Sequence, residues 1–193
     1  VAAELPLFPL KAVLFPGGPL ALRVFEPRYV DMVARCLRGD NRFGVVAIRQ
    51  GEEVGAATTY DVGTAAEIVD WHQDGAGLLG LRTVGRESFR LLRTRRLADG
   101  LYVGDVTWLD APASRPLPER HAPLAALLKG LLEPLTLYRG LAPDFDDALW
   151  VGARLAELLP LSVAHKQTLL ELPDAEQRLE RLADLLRTEC RSA

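Results

Sequence analysis

Cysteine is scarce in this chain: Cys36 and Cys190 are the only two in 193 residues. They lie far apart, each on a predicted helix, with no Cys-x-x-Cys pair and no Cys/His cluster. That spacing indicates neither a disulfide framework nor a zinc site, and both read as small hydrophobes. The three histidines, His72, His121 and His165, are dispersed, and none has a second ligand at metal spacing. Lysine is equally sparse: Lys11, Lys129 and Lys166 are the three, and no Gly-x-x-x-x-Gly-Lys-Ser/Thr loop surrounds any of them. A phosphate cradle of that type is therefore excluded. Long apolar runs are missing too. The longest candidate, Leu124 to Leu137, is broken by Lys129, Gly130, Glu133 and Pro134, well short of the roughly 18 apolar residues a spanning helix needs. No positively charged leader precedes an apolar run, so the expected location is cytoplasmic. A net charge of −3 gives no overall drive toward nucleic acid or an anionic membrane. No metal and no cofactor are expected.

What is present is an ordinary globular composition, 49% hydrophobic and 25% charged. A chain of this length buries roughly 70% of its unfolded surface and needs no metal or disulfide to fold. The first fifty residues carry the clearest signals. Leu5 to Leu10 is apolar, but Pro6 and Pro9 lack donors, which predicts an edge or entry strand. Pro16-Gly17 suits a type II turn. Leu20, Leu22 and Val24 alternate with Ala21, Arg23 and Phe25 as in a strand with one buried face. Pro27 can open a helix that carries Tyr29, Val30, Val33, Ala34 and Leu37, with Gly39 as its C-terminal cap, before a strand over Phe43–Ile48.

Further strands are predicted over 62–72, 78–84, 87–96 and 101–109, with Asp74–Gly77 as a hairpin turn. About seven short strands with one early helix suggest a closed or nearly closed barrel. The proline-rich stretch 112–118 reads as a linker. It divides a strand-rich unit, 1–111, from a helical one, 119–193. In the latter Leu124, Leu127, Leu128, Leu131 and Leu132 form one stripe, Asp144 can cap a helix through Leu159, and Ser162 and Asp174 can cap two more. The fold class is α+β: a β-barrel with one early helix, then a four-helix unit.

Several of these segments together resemble the N-terminal, substrate-binding domain of Lon proteases. They are Leu5–Leu10, the Leu14–Gly18 turn, Arg23-Val24-Phe25-Glu26-Pro27-Arg28-Tyr29 and Gly39-Asp40 through Arg42-Phe43-Gly44-Val45-Val46. Asp61–Thr64, Gly85 with Phe89-Arg90, Ala156–Leu161 and Lys166–Glu171 extend the resemblance, in order, over nearly the whole chain. The resemblance implies a PUA-like barrel and a stand-alone recognition module, without the ATPase and peptidase domains of a complete Lon-like protease. Its implied partners are unfolded or apolar polypeptide segments, and it would act as an adaptor for a separate protease or as a chaperone-like factor.

No enzyme is expected. Ser162 and Lys166 share a helix end, but Ser162 reads as a cap with no oxyanion hole beside it. Arg28, Tyr29 and Arg42 are the candidate peptide-binding residues, set against a structural reading in which Glu26 and Arg28 pair at the strand-to-helix corner and Arg42 braces the next strand. The alternative function is RNA binding by the basic strand Arg82–Arg96, with Arg90, Arg93 and Arg95 tracking phosphates. Of the three tryptophans, Trp71 is the one expected to be exposed.

Overall fold

The computed structural model describes residues 2–53, 57–73 and 78–192. It is a mixed α+β protein with a six-stranded sheet and five α-helices. The elements run β1 (Ala2–Leu10), β2 (Pro19–Val24), α1 (Pro27–Cys36), β3 (Arg42–Gly51), β4 (Ala57–Gln73), β5 (Leu79–Arg96) and β6 (Tyr102–Trp108), then α2 (Ala122–Leu132), α3 (Ala148–Leu158), α4 (Val163–Glu171) and α5 (Ala175–Ser192). The chain divides into two compact units, Val1–Asp110 and Ala111–Ala193.

In the first unit the strand order is β2-β5-β4-β3-β1-β6, and β5 also pairs with β6. The hydrogen-bonded circuit through β5, β4, β3, β1 and β6 therefore returns to β5. Strand β1 is not the edge strand its prolines predict. Ala2–Leu7 pair antiparallel with β6, Leu7–Leu10 pair parallel with β3, and Leu7 alone belongs to both ladders. Pro6 lies only in the β6 ladder and Pro9 only in the β3 ladder, so each has one flank on which a missing donor leaves no gap.

The predicted strands 78–84 and 87–96 are one 18-residue strand. Gly85 continues the strand between them, and the turn before β2 packs against it: a Cβ at Gly85 would stand 2.2 Å from the Phe15 carbonyl oxygen. That turn is the expected type II, with Gly17 at φ 74° and the Gly18 N–H donating to the Phe15 carbonyl at 3.0 Å. The predicted hairpin turn Asp74–Gly77 lies outside the described residues. Helix α1 begins at Pro27 as expected, but Gly39 is not its left-handed cap. That conformation falls on Asn41 (φ 61°), whose N–H donates to the Cys36 carbonyl at 3.0 Å. Asparagine tolerates it better than other side chains do.

Alternation in β1 and β3 feeds two apolar clusters. Phe8, Leu10, Phe43 and Val45 pack with Tyr29, Met32 and Val33 of α1, while Leu5, Leu7 and Val46 pack with Phe89 and Val106. Each such side chain, fully buried, stabilises the unit by roughly 1.5–3 kcal/mol relative to exposure.

In the second unit the cap of α3 is Asp147 rather than Asp144. Its carboxylate accepts from the N–H groups of Leu149 (3.1 Å) and Trp150 (3.3 Å). Ser162 caps α4 through the His165 N–H (3.2 Å), and Asp174 caps α5 through Glu176 and Gln177 (2.9 and 3.0 Å). The proline-rich stretch is held by backbone bonds, Leu117 N–H to the Asp146 carbonyl at 2.7 Å and Ala148 N–H to the Arg115 carbonyl at 2.8 Å. No helix among the described residues is long and apolar enough to cross a membrane.

Candidate functional site

Several strand flanks in the first unit have no strand partner among the described residues, Ile48–Gly51 of β3 and Ile68–Gln73 of β4 among them, and two others line one hollow. β2 is bonded to β5 only, and Phe8–Leu10 of β1 are bonded to β3 only, because the β6 ladder stops at Leu7. A hollow of about 230 Å³ is lined from both flanks: Phe8 and Leu10 from β1, and Ala21–Val24 from β2, with Phe25, Tyr29 and Glu53. The result is a seam between two backbone edges. Unpaired strand edges of this kind carry N–H and C=O groups available to an incoming extended segment.

Phe25 stands at the end of β2, one residue before the N-cap of α1. A hydrophobic residue at that position commonly folds back onto the helix. Phe25 instead is 66% exposed, beside the hollow it lines. Tyr29 forms part of the same wall, its ring stacked on Phe8 at 4.1 Å. Burial raises the Tyr29 pKa against the opposing pull of Arg28, so the hydroxyl is neutral at physiological pH. Arg28 is buried behind it, with Nη2 on the Glu26 carboxylate (2.8 Å), Nη1 donating to the Gly100 carbonyl (3.0 Å) and the guanidinium over the Tyr29 ring (4.6 Å).

The structure thus does not gather Arg28, Tyr29 and Arg42 around one hollow. Arg42 pairs with Glu87 at 3.1 Å and lines a different one, of about 280 Å³, together with Cys36 and Arg95. The Cys36 thiol donates to the Arg42 carbonyl (3.1 Å), and burial pushes its pKa up to about 11. A thiol so poor in thiolate is inert. In a Cys190→Ser variant, Cys36 is therefore expected to react with a thiol reagent at least about 100-fold more slowly than in denaturant. Equal rates, followed by absorbance, would show that the site opens freely.

Along β5 three of the six arginines are matched by acids: Arg82 with Asp70 (3.7 Å), Arg86 with Glu67 (2.6 Å), and Arg95 with Glu4 (2.5 Å) and Asp105 (3.9 Å). Arg90 and Arg93 are exposed. No aromatic platform interleaves them, since Phe89 is fully buried and edge-on to Trp108 at 6.2 Å. Trp71 is 52% exposed. Lys166 does not serve Ser162; its ammonium donates to the Glu157 carbonyl at 2.6 Å. Among the described residues no group of three or more His, Cys, Asp or Glu is placed to hold a metal ion.

Sequence reasoning missed Phe25 and the β2 edge. The signal was available: Phe25 falls in the outward phase of β2 with Ala21 and Arg23, an aromatic side chain where alternation demands a polar one.

Residues 4–188 match the family model of the ATP-dependent protease La (LON) substrate-binding domain, and the chain belongs to that family. A crystal structure of a Lon N-terminal domain protein from Xanthomonas campestris is similar at a TM-score of 0.79 and 40% identity, covering 94% of this chain and 98% of that one. Lon protease 2 of Myxococcus xanthus is 28% identical over 191 residues, 94% of this chain and 23% of its own length. Protein cereblon of Xenopus tropicalis is 32% identical over 124 residues, 62% of this chain and 25% of its length. The chain spans about a quarter of the length of these curated relatives.

Proposed function

We propose that the chain is a non-catalytic polypeptide-recognition module, and that an extended apolar segment of an unfolded protein docks in the seam between β1 and β2. In this reading the closed strand circuit is a PUA-like barrel, the helices after it form a four-helix bundle, and the module works in the cytoplasm as an adaptor for a protease or a chaperone-like factor. The observation that carries the reading is the pair of unpartnered strand flanks with Phe25 exposed beside them. Backbone bonds along either flank would supply affinity without sequence, and the hollow would select one large apolar side chain.

The test is titration with a permanently unfolded model protein and with its native form, read by fluorescence anisotropy. Binding is expected only to the unfolded form. Phe25→Ala should weaken it about tenfold, in the range of an interface anchor. Because Phe25 contributes little burial, its melting temperature should not move. Absence of binding at high concentration, or a Phe25→Ala variant that binds unchanged, would remove the proposal.

A further inference from the structure

Another hollow lies wholly within the second unit and shares no residue with the seam. It measures about 560 Å³, within the usual size range of ligand pockets, and its walls are Tyr138, Phe145, Trp150, Leu132, Leu141 and Pro143. Phe145 and Trp150 meet edge to face with ring centroids 5.2 Å apart. Trp150 sits on the first turn of α3, fixed by the Asp147 cap. Tyr138 is anchored from behind, its hydroxyl donating to the buried Glu157 carboxylate at 3.1 Å. The aromatic walls are therefore held before any ligand arrives.

Two cations line this hollow. Lys129 holds its ammonium 4.8 Å from the centre of the Phe145 ring, and Arg139 is exposed. Neither has a carboxylate within ion-pairing distance among the described residues, unlike Arg82, Arg86 and Arg95 of β5. Glu133 also lines the hollow and leaves it with one net positive charge. Gly130, on the α2 side, would meet nothing within 4 Å if it carried a Cβ, so the entrance is open there.

We propose that this hollow binds the C-terminal end of a polypeptide, with an aromatic last side chain against Phe145 and Trp150 and the free carboxylate on Lys129 and Arg139. The apolar walls alone would accept any hydrophobic residue, whereas two unpaired cations beside them call for an anion attached to it. A free main-chain carboxylate adjoining an aromatic side chain meets both demands in one residue. Single-stranded nucleic acid would need a succession of platforms along a basic groove, and here the rings converge on one concave site.

The inference shares its ligand class with the proposed function but no residue with the seam, so the two fail separately. The full chain is titrated calorimetrically with a short acetylated peptide ending in phenylalanine, as the free acid and as the amide. The acid is expected to bind about tenfold more tightly, the scale of a charge-assisted hydrogen bond. Lys129→Gln with Arg139→Gln should erase that preference. Gly130→Trp should abolish binding at an unchanged melting temperature, with Gly130→Ala binding as wild type and Phe25→Ala without effect. Equal affinity for acid and amide, no binding of either, undiminished binding by Gly130→Trp, loss of binding in Phe25→Ala, or displacement by a single-stranded oligonucleotide would each overturn the proposal.

Discussion

Gly63→Ala is expected to destabilise the first unit by more than about 3 kcal/mol, beyond the usual cost of one added methyl in a core. A Cβ at Gly63 would stand 2.4 Å from the Val45 carbonyl oxygen, 2.7 Å from Cζ of Phe89 and 2.9 Å from Cγ1 of Val46. The first of these is backbone in the β3–β4 ladder, where Gly63 faces Val46, so it cannot swing aside as a side chain tip can. Adding Phe89→Leu should restore only part of the loss, because it relieves the ring contact and leaves the carbonyl where it is. Urea denaturation of the two variants checks this. A Gly63→Ala protein with a wild-type midpoint would show that β3 and β4 separate more easily than their register implies.

The second large effect belongs to the helical unit. Arg154 and Glu157, one turn apart on α3, form an ion pair at 2.8 Å with the arginine 1% and the glutamate 8% exposed. Lys166 of α4 bonds the Glu157 carbonyl (2.6 Å), and Arg178 of α5 donates to the Leu169 and Leu172 carbonyls at the end of α4 (2.8 and 3.1 Å). The negative end of the α4 dipole accommodates that second buried guanidinium. Arg154→Met should cost about 3–5 kcal/mol, because it strands a carboxylate away from water. Burial already pushes the Glu157 carboxyl from its ordinary 4.5 up to about 7, with Arg154 pulling the other way. Between those values the folded unit keeps a proton that the unfolded chain has released. Stability therefore falls as pH rises from about 4.5 to about 7 and levels off above, by roughly 3 kcal/mol for this one group. Glu157→Gln should abolish that slope while weakening the unit at every pH. Hydrogen exchange of α3 amides between pH 5 and 8, corrected for the intrinsic rate, reads both effects.

Much of this architecture was legible in the residues, and the failures have local causes. The type II turn at Pro16-Gly17, the helix opened by Pro27 and the caps Ser162 and Asp174 each depend on a side chain's own geometry, and each forms. Strand partnership depends on the whole chain. The prolines of β1 predict an edge because sequence shows missing donors but not that two ladders share the strand end to end, meeting at Leu7. The division of β5 into strands 78–84 and 87–96 fails because sequence does not show that Gly85 continues the strand where the Phe15 carbonyl packs against it. The choice of Asp147 over Asp144 is decided by a tertiary bond, since Asp147 also accepts from the Arg115 N–H at 3.2 Å. Among the candidate residues, Tyr29 lines the hollow beside β2, Arg28 turns inward and Arg42 lines another hollow, a separation that sequence spacing does not show. The aromatic hollow of the second unit draws residues from segments 129–150 with no periodic pattern to announce it.

The divided pairing of β1 also dictates the order in which a nascent chain can finish this unit. Ala2 opposes Thr107, so β1, the first strand of this unit in chain order, must wait for β6, its last, before that side is zipped shut. Until then Ala2–Pro6 have no ladder partner, while Leu7–Leu10 can already pair with β3, and closure is a slow, long-range event.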